Sequence, residues 1–299
     1  MHVSEEHFLL VSLFRDHPAL AVWLAELSQR IDLPPTYTIE AFDPLHSDAR
    51  RAADIAFVLT GPAGVDLLTL TIEIQRAPDP DKDFAWPGYG WLERTRRRCD
   101  SHVLVVATRR SVATWARRFE RCIPGDPVHV IVLGPDEVPR ITDLAEARAH
   151  PARAILSAVL HARAPGGHPV RRAAAAALLA LPAHQRRQYI RLVFRDVPHP
   201  ATAALFKEVM QQQQQFEEPL DCSGLDAWIE EVSAPAVARA EAQVALRTRA
   251  DILLQQLKQR GLRISAPARA RILACTDTAE LDRWLARVLT ARRVADLFA

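Results

Sequence analysis

Two carboxylates and an amide, set on two apolar strands, carry the sharpest chemical signal in the chain. The segment DIAFVLTGPAGVDLLTLTIEIQ runs from Asp54 to Gln75. Successive strand residues point to opposite faces. Leu68, Leu70, Ile72 and Ile74 therefore share one face, and Thr69, Thr71, Glu73 and Gln75 share the other. Folding the segment about the Ala63–Gly64 bond pairs Ile55 with Ile72, Phe57 with Leu70 and Leu59 with Leu68, and it sets Asp54 opposite Glu73. A slip of one residue would separate the carboxylates onto opposite faces and break the apolar match. Two carboxylates directly opposite repel unless a cation lies between them. A hard divalent ion, Mg²⁺ or Mn²⁺, suits such a pair, because it commonly takes one or two carboxylates together with substrate phosphate. The alternative is that Asp54 merely ends its strand and Glu73 pairs with an arginine.

The elements that must hold this hairpin follow from the flanking periodicity. Residues 5–14 and 19–31 have helical spacing (Phe8, Leu9, Ser12, Leu13, then Leu20, Trp23, Leu24, Leu27, Ile31), and Pro34-Pro35 ends the second helix. Thr36–Phe42, Ala53–Leu59, Leu67–Gln75, Val103–Ala107 and Val128–Leu133 read as strands. Helices are expected at 81–99 and Ser111–Arg121, with Ser111 as N-cap. Beyond residue 142 the strand signal stops and helical segments follow at 143–163, 170–181, 184–194, 201–216 and 225–258. The tail holds further helices, one capped by Thr276 or Asp277. This pattern predicts an α/β (α+β) fold with an all-α C-terminal half, divided as 1–142, 143–234 and 235–299. The tail should pack through Leu253, Leu257, Ile272, Leu281, Trp284, Leu285, Val288 and Leu297.

Composition narrows the classes. Of 299 residues, 49% are hydrophobic and 25% charged, the balance of a globular chain. No apolar run reaches membrane-spanning length, and Glu5-Glu6 precede the first apolar stretch, so neither a membrane helix nor a signal peptide is expected. The four cysteines form no C-x-x-C pair, which suits free thiols in the cytoplasm. The net charge of +2 is uneven: −5 over residues 1–150, +1 over 151–234 and +6 over 235–299. No G-x-x-x-x-G-K-[ST] loop, H-E-x-x-H or G-x-S-x-G motif occurs.

The arrangement resembles the PD-(D/E)XK nuclease superfamily, in which an Asp opens one strand, Glu-x-Lys closes the next, and a helix and another strand follow. Glu73-Ile74-Gln75, then Asp79-Pro80-Asp81-Lys82 and Trp86-Pro87-x-Tyr89, look like the recombination-promoting nuclease (putative transposase) branch, whose last motif residue is often Gln. The tail from Asp251 through Phe298 resembles a helical domain of unknown function often attached to that branch. The resemblance implies a restriction-endonuclease-like mixed sheet flanked by helices and a Mg²⁺- or Mn²⁺-dependent cleavage of phosphodiester bonds in nucleic acid, DNA first, tied to mobile elements or defence. Asp54 and Glu73 would hold the metal, and Gln75 would orient the attacking water. Gln75 stands where the superfamily has a cationic lysine, so Lys82, or else Arg94, would supply the missing charge.

Several further residues have two readings. Trp86 and Tyr89, at i and i+3, either pack in the core or stack on a base. Arg94, Arg96, Arg97 and Arg98 either face solvent or, Arg94 and Arg97 foremost, track phosphates beside the hairpin. Glu40 is either exposed or an added ligand, the former being favoured. A rival function of another class is a catalytically silent scaffold that binds nucleic acid or protein, with self-association through the C-terminal helices.

Overall fold

The structure, a computed structural model, describes residues 4–44, 53–213 and 245–298, apart from 263, 289 and 292. The chain opens with helices α1 (Glu5–Asp16) and α2 (Ala19–Ser28). Strands β1 (Thr38–Phe42), β2 (Ile55–Thr60) and β3 (Asp66–Gln75) follow, then α3 (Lys82–Arg97) and β4 (Asp100–Ala107). Helix α4 (Arg110–Ala116) leads to β5 (Val130–Leu133). The five strands form one mixed sheet in the order β1-β2-β3-β4-β5. The first three are antiparallel, and β4 and β5 run parallel to β3. A parallel neighbour requires a crossover, and α3 and α4 supply the two needed here.

The β2–β3 register is the one the alternation dictates: Ile55 with Ile72, Phe57 with Leu70 and Leu59 with Leu68. The register shifts between Leu59 and Thr60, so Thr60 pairs with Asp66. The connecting loop closes with the Gly61 N–H donating to the Val65 carbonyl at 2.9 Å. Gly64 sits there at φ +73°, which a side chain would strain. Both faces of the central strands are covered, so β3 to β5 are buried along almost their whole length.

On the face shared by Thr71, Glu73 and Gln75, the paired residues Val103, Val105 and Ala107 pack with Trp86 and Tyr89 of α3 and Val112, Ala113 and Ala116 of α4. Trp86 meets Trp115 and Phe119 edge-on at 5.8 and 6.1 Å. Helix α4 begins two residues earlier than a Ser111 cap would require; Arg109 holds the extended position before it. In α1 the buried stripe is Glu6, Leu9, Leu10, Leu13 and Phe14. Phe8, expected on that stripe, is 61% exposed, and a carboxylate takes the inward place instead.

No strand occurs among the described residues beyond β5. Helices α5 (Leu144–Ala149), α6 (Pro151–His161), α7 (His168–Leu179) and α8 (Ala183–Phe194) belong to the same compact unit as the sheet. The Tyr189 hydroxyl of α8 donates to Asp16 of α1 at 2.5 Å. Helix α9 (His199–Gln213) follows. Residues 214–244, including most of the 225–258 helix expected from sequence and Cys222, lie outside the described residues. Cys99, Cys122 and Cys275 are free thiols. A second compact unit holds helix α10 (residues 245–259), α11 (Ala266–Leu273) and α12 (Thr278–Val288). Its core contains Leu253, Leu257, Ile272, Leu281, Trp284, Val288 and Leu297, with Leu285 at its edge. Asp277 caps α12, accepting from the Ala279 N–H at 2.8 Å. No single helix among the described residues is long and apolar enough to cross a membrane.

Two glycines of α3 allow a stability test. A Cβ on Gly90 would lie 2.4 Å from Val128 Cγ1, while one on Gly88 would meet nothing within 4 Å. Gly90→Ala is expected to destabilise by about 1–3 kcal/mol through overpacking. Gly88→Ala is expected to stabilise by about 0.5–1 kcal/mol through helix propensity. Urea unfolding of the two variants beside the wild type measures both; the opposite order would contradict the packing of α3 on the sheet.

Candidate functional site

The site grows from the carboxyl end of β3. Asp54 stands immediately before β2 and turns its carboxylate onto the neighbouring strand. Its Oδ2 accepts the Ile74 backbone N–H at 2.7 Å. Its Oδ1 meets His7 Nε2 of α1 at 2.8 Å. The bond to Ile74 fixes Asp54 beside Glu73, as the hairpin register requires. Glu73 is 2% exposed, and its Oε1 accepts from the Lys82 ammonium at the start of α3. The alternative holds in part: Asp54 does stand at the strand's end, though it is engaged across the strands, and Glu73 does pair with a basic side chain, a lysine in place of an arginine.

The electrostatics follow from burial. Desolvation, then the Asp54 charge, push the Glu73 carboxyl up to about 7 against the pull of Lys82 and His7. For Lys82, burial works against the ammonium, but the Glu73 charge and hydrogen bond outweigh it and the pKa is raised. The Asp54 hydrogen bond raises His7, against desolvation. Burial and the Glu73 charge push the Tyr89 hydroxyl up to about 12, so it is a neutral donor at ordinary pH.

A divalent cation is the group that the resemblance in sequence implies here. Glu73 Oε2 is buried without a hydrogen-bond partner, an acceptor left open inside the site. Among the described residues no group of three His, Cys, Asp or Glu side chains gathers as a metal cage. The residues that could hold such an ion are the Asp54 and Glu73 carboxylates, of which only Glu73 Oε2 is without a hydrogen-bond partner. Such an ion would compete with Lys82 for Glu73 and with His7 for Asp54.

Of the four residues expected together, Asp54, Glu73 and Lys82 lie side by side, and Gln75 is their neighbour on β3. Gln75 is buried on the Glu73 face and donates its amide to the Ala77 carbonyl. Lys82 also lies over the Tyr89 ring at 5.9 Å. The nucleic-acid contacts expected from α3 need correction. Trp86 is wholly buried against Trp115 and Phe119 and has no face for a base. Tyr89 is 8% exposed and belongs to the same core.

Arg94 and Arg97 do not border the carboxylates. Helix α3 runs back along β3, so Arg97 reaches Asp66 at 2.8 Å, at the opposite end of the strand, and stacks on Phe42 at 3.9 Å. Arg94 pairs with Asp100 at 2.8 Å. From Lys82 they are about 18–22 Å away along the helix, so Lys82 and not Arg94 stands at Glu73. Glu40 is exposed.

Three residues at the site are marked by no motif: His7, Glu6 and Arg76. Glu6 is buried, accepts from Arg76 Nη2 at 2.6 Å, and lies 3.9 Å from Arg163 and from Arg195. Arg76 also donates to Ser4 Oγ. The signal available was a carboxylate at the inward position of an apolar helix, three and four residues before Leu9 and Leu10. No protein-family model, no curated protein and no solved structure matches this chain.

The pH dependence of stability tests the buried carboxyl. Glu73 keeps its proton to about pH 7 when folded, against an ordinary value of 4.5. The folded chain therefore binds more protons between these limits, and stability falls as pH rises through that window. The raised His7 acts in the same direction, its share lost as pH rises past 6.5. Glu73→Gln is expected to make the fall in Tm between pH 5 and pH 8 shallower without abolishing it. An unchanged slope would mean Glu73 is ionised throughout.

Proposed function

We propose that the chain is a metal-dependent phosphodiesterase of nucleic acid, with a restriction-endonuclease-like sheet and its site at Asp54, Glu73, Gln75 and Lys82. DNA is the first substrate to test, and the cytoplasm is the compartment that free thiols suit. The observation that carries the reading is the convergence of Asp54, Glu73 and the Lys82 ammonium at one end of the β2–β3 hairpin. The element order supports it as well: helices, an antiparallel β1–β2–β3 meander, the α3 crossover and a parallel β4. Asp opens the second strand and Glu lies near the end of the third, as the resemblance in sequence implies.

Held by Asp54 and Glu73, a Mg²⁺ or Mn²⁺ ion would supply Lewis-acid polarisation of a phosphate and of the attacking water. The Ile74 N–H and His7 hold the Asp54 carboxylate in place. Glu73 must lose the proton it carries below about pH 7 before it can act as a ligand. Lys82, released from Glu73, would donate to a non-bridging phosphate oxygen and offset the charge that builds there. The Gln75 amide, turned from Ala77, would orient the water. Lys82 thus takes the task of the superfamily lysine from the adjacent helix.

The second reading, a silent scaffold, is favoured by one feature. Lys82 on Glu73 and His7 on Asp54 neutralise the pair without any ion. Nicking of a supercoiled plasmid separates the two. Wild type with Mn²⁺ is expected to nick. Asp54→Asn and Glu73→Gln should each lose at least about a hundredfold. Lys82→Ala should be damaging, and Gln75→Lys should keep or raise the rate. Wild type that cleaves neither DNA nor RNA with either ion supports the scaffold. Cleavage that survives loss of both carboxylates would place the chemistry elsewhere.

A further inference from the structure

A second feature lies two strands away from the carboxylates. The last residues of the parallel strands β4 and β5, Ala107 and Leu133, lead into loops that line a cavity of about 680 Å³ closed by α6. Its volume is that of an ordinary small-ligand site. Four arginines line it: Arg109, Arg110, Arg140 and Arg163. The one carboxylate in the lining, Asp136, is held by Arg110 at 2.9 Å. Arg163 lies 3.9 Å from Glu6. Arg140 gives one N–H to the Gly166 carbonyl at 2.7 Å and makes no ion pair among the described residues. Arg109 likewise makes none. The lining therefore sets four guanidinium groups against one carboxylate.

We propose that this cavity binds a phosphate group, with Arg109 and Arg140 as its principal donors. Guanidinium forks match phosphate oxygens two at a time, which a lone lysine does not. The location agrees with the general rule that open α/β sheets bind ligands beyond the carboxyl ends of their parallel strands. Two contacts link the residues of the cavity to those beside the carboxylates. The Thr108 N–H, at its rim, donates to the Gln75 carbonyl at 3.0 Å, and Glu6 lies between Arg76, the residue after Gln75, and Arg163. The phosphate comes either from a nucleic-acid strand running past Asp54 and Glu73 or from a free phosphorylated small molecule. The site needs no cleavage at the carboxylates and stands or falls separately from that activity.

The test is binding to the full-length protein in EDTA and low salt, so that hydrolysis cannot intervene. One arm measures fluorescence anisotropy of a short labelled single-stranded oligonucleotide; the other titrates inorganic pyrophosphate by calorimetry. At least one probe is expected to bind wild type and to weaken about tenfold or more in the Arg109→Gln/Arg140→Gln double variant, the loss of a charge-assisted hydrogen bond or more. Arg118→Gln, an arginine outside the cavity, should leave binding unchanged. Loss confined to the oligonucleotide identifies a strand phosphate, and loss confined to pyrophosphate identifies a small molecule. The double variant lines the cavity with exposed side chains, so its melting temperature should match wild type. Failure of wild type to bind either probe, or equal affinity in the folded double variant, would overturn the proposal.

Discussion

The burial of one carboxylate, Glu73, is the constraint around which this end of the protein is arranged. Placing a carboxylate at 2% exposure beside a second one is costly unless each oxygen finds a partner. The Ile74 N–H and His7 take the two oxygens of Asp54, and Lys82 takes one oxygen of Glu73. These partners come from three separate elements: β3 itself, α1 and α3. One oxygen, Glu73 Oε2, is left over. It is this unpartnered acceptor that the proposed cation would meet.

The scaffold explains why the cation at this site comes from a helix. Gln75 occupies the strand position two residues after Glu73, and it is turned toward the Ala77 carbonyl. Helix α3 begins close to the strand's end, so its first residue, Lys82, reaches back to Glu73. The buried face of α3 then carries Trp86 and Tyr89 into the core and fixes where Lys82 stands. Gly90 lets the same helix approach Val128. Packing and charge are therefore coupled: the aromatic cluster that holds α3 on the sheet also sets the ammonium.

Much of this was legible in sequence where the periodicity was local. The alternation of Leu68, Leu70, Ile72 and Ile74 with Thr69, Thr71 and Glu73 fixed the β2–β3 register, because a slip would bury polar residues on the apolar face. Long-range neighbours were not legible. His7 meets Asp54 across 47 residues, and only the docking of α1 on the sheet brings them together. Periodicity placed Trp86 and Tyr89 on one face of a helix but could not say which face turned inward. The arginines of α3 read as neighbours of the hairpin, since an i-to-i distance in sequence does not reveal that the helix runs back along the strand to Asp66. The arginine cavity is assembled from three separate stretches and has no sequence signature at all.

The central claim is that Asp54 and Glu73 together form a seat for one divalent cation. Calorimetric titration of Mn²⁺ into the purified protein at pH 8, where Glu73 has lost its proton, tests it most directly. The account requires a single site in wild type, weaker binding at pH 6, and loss of that site in both Asp54→Asn and Glu73→Gln. No binding at pH 8 in wild type, or an undiminished site in either variant, would contradict it.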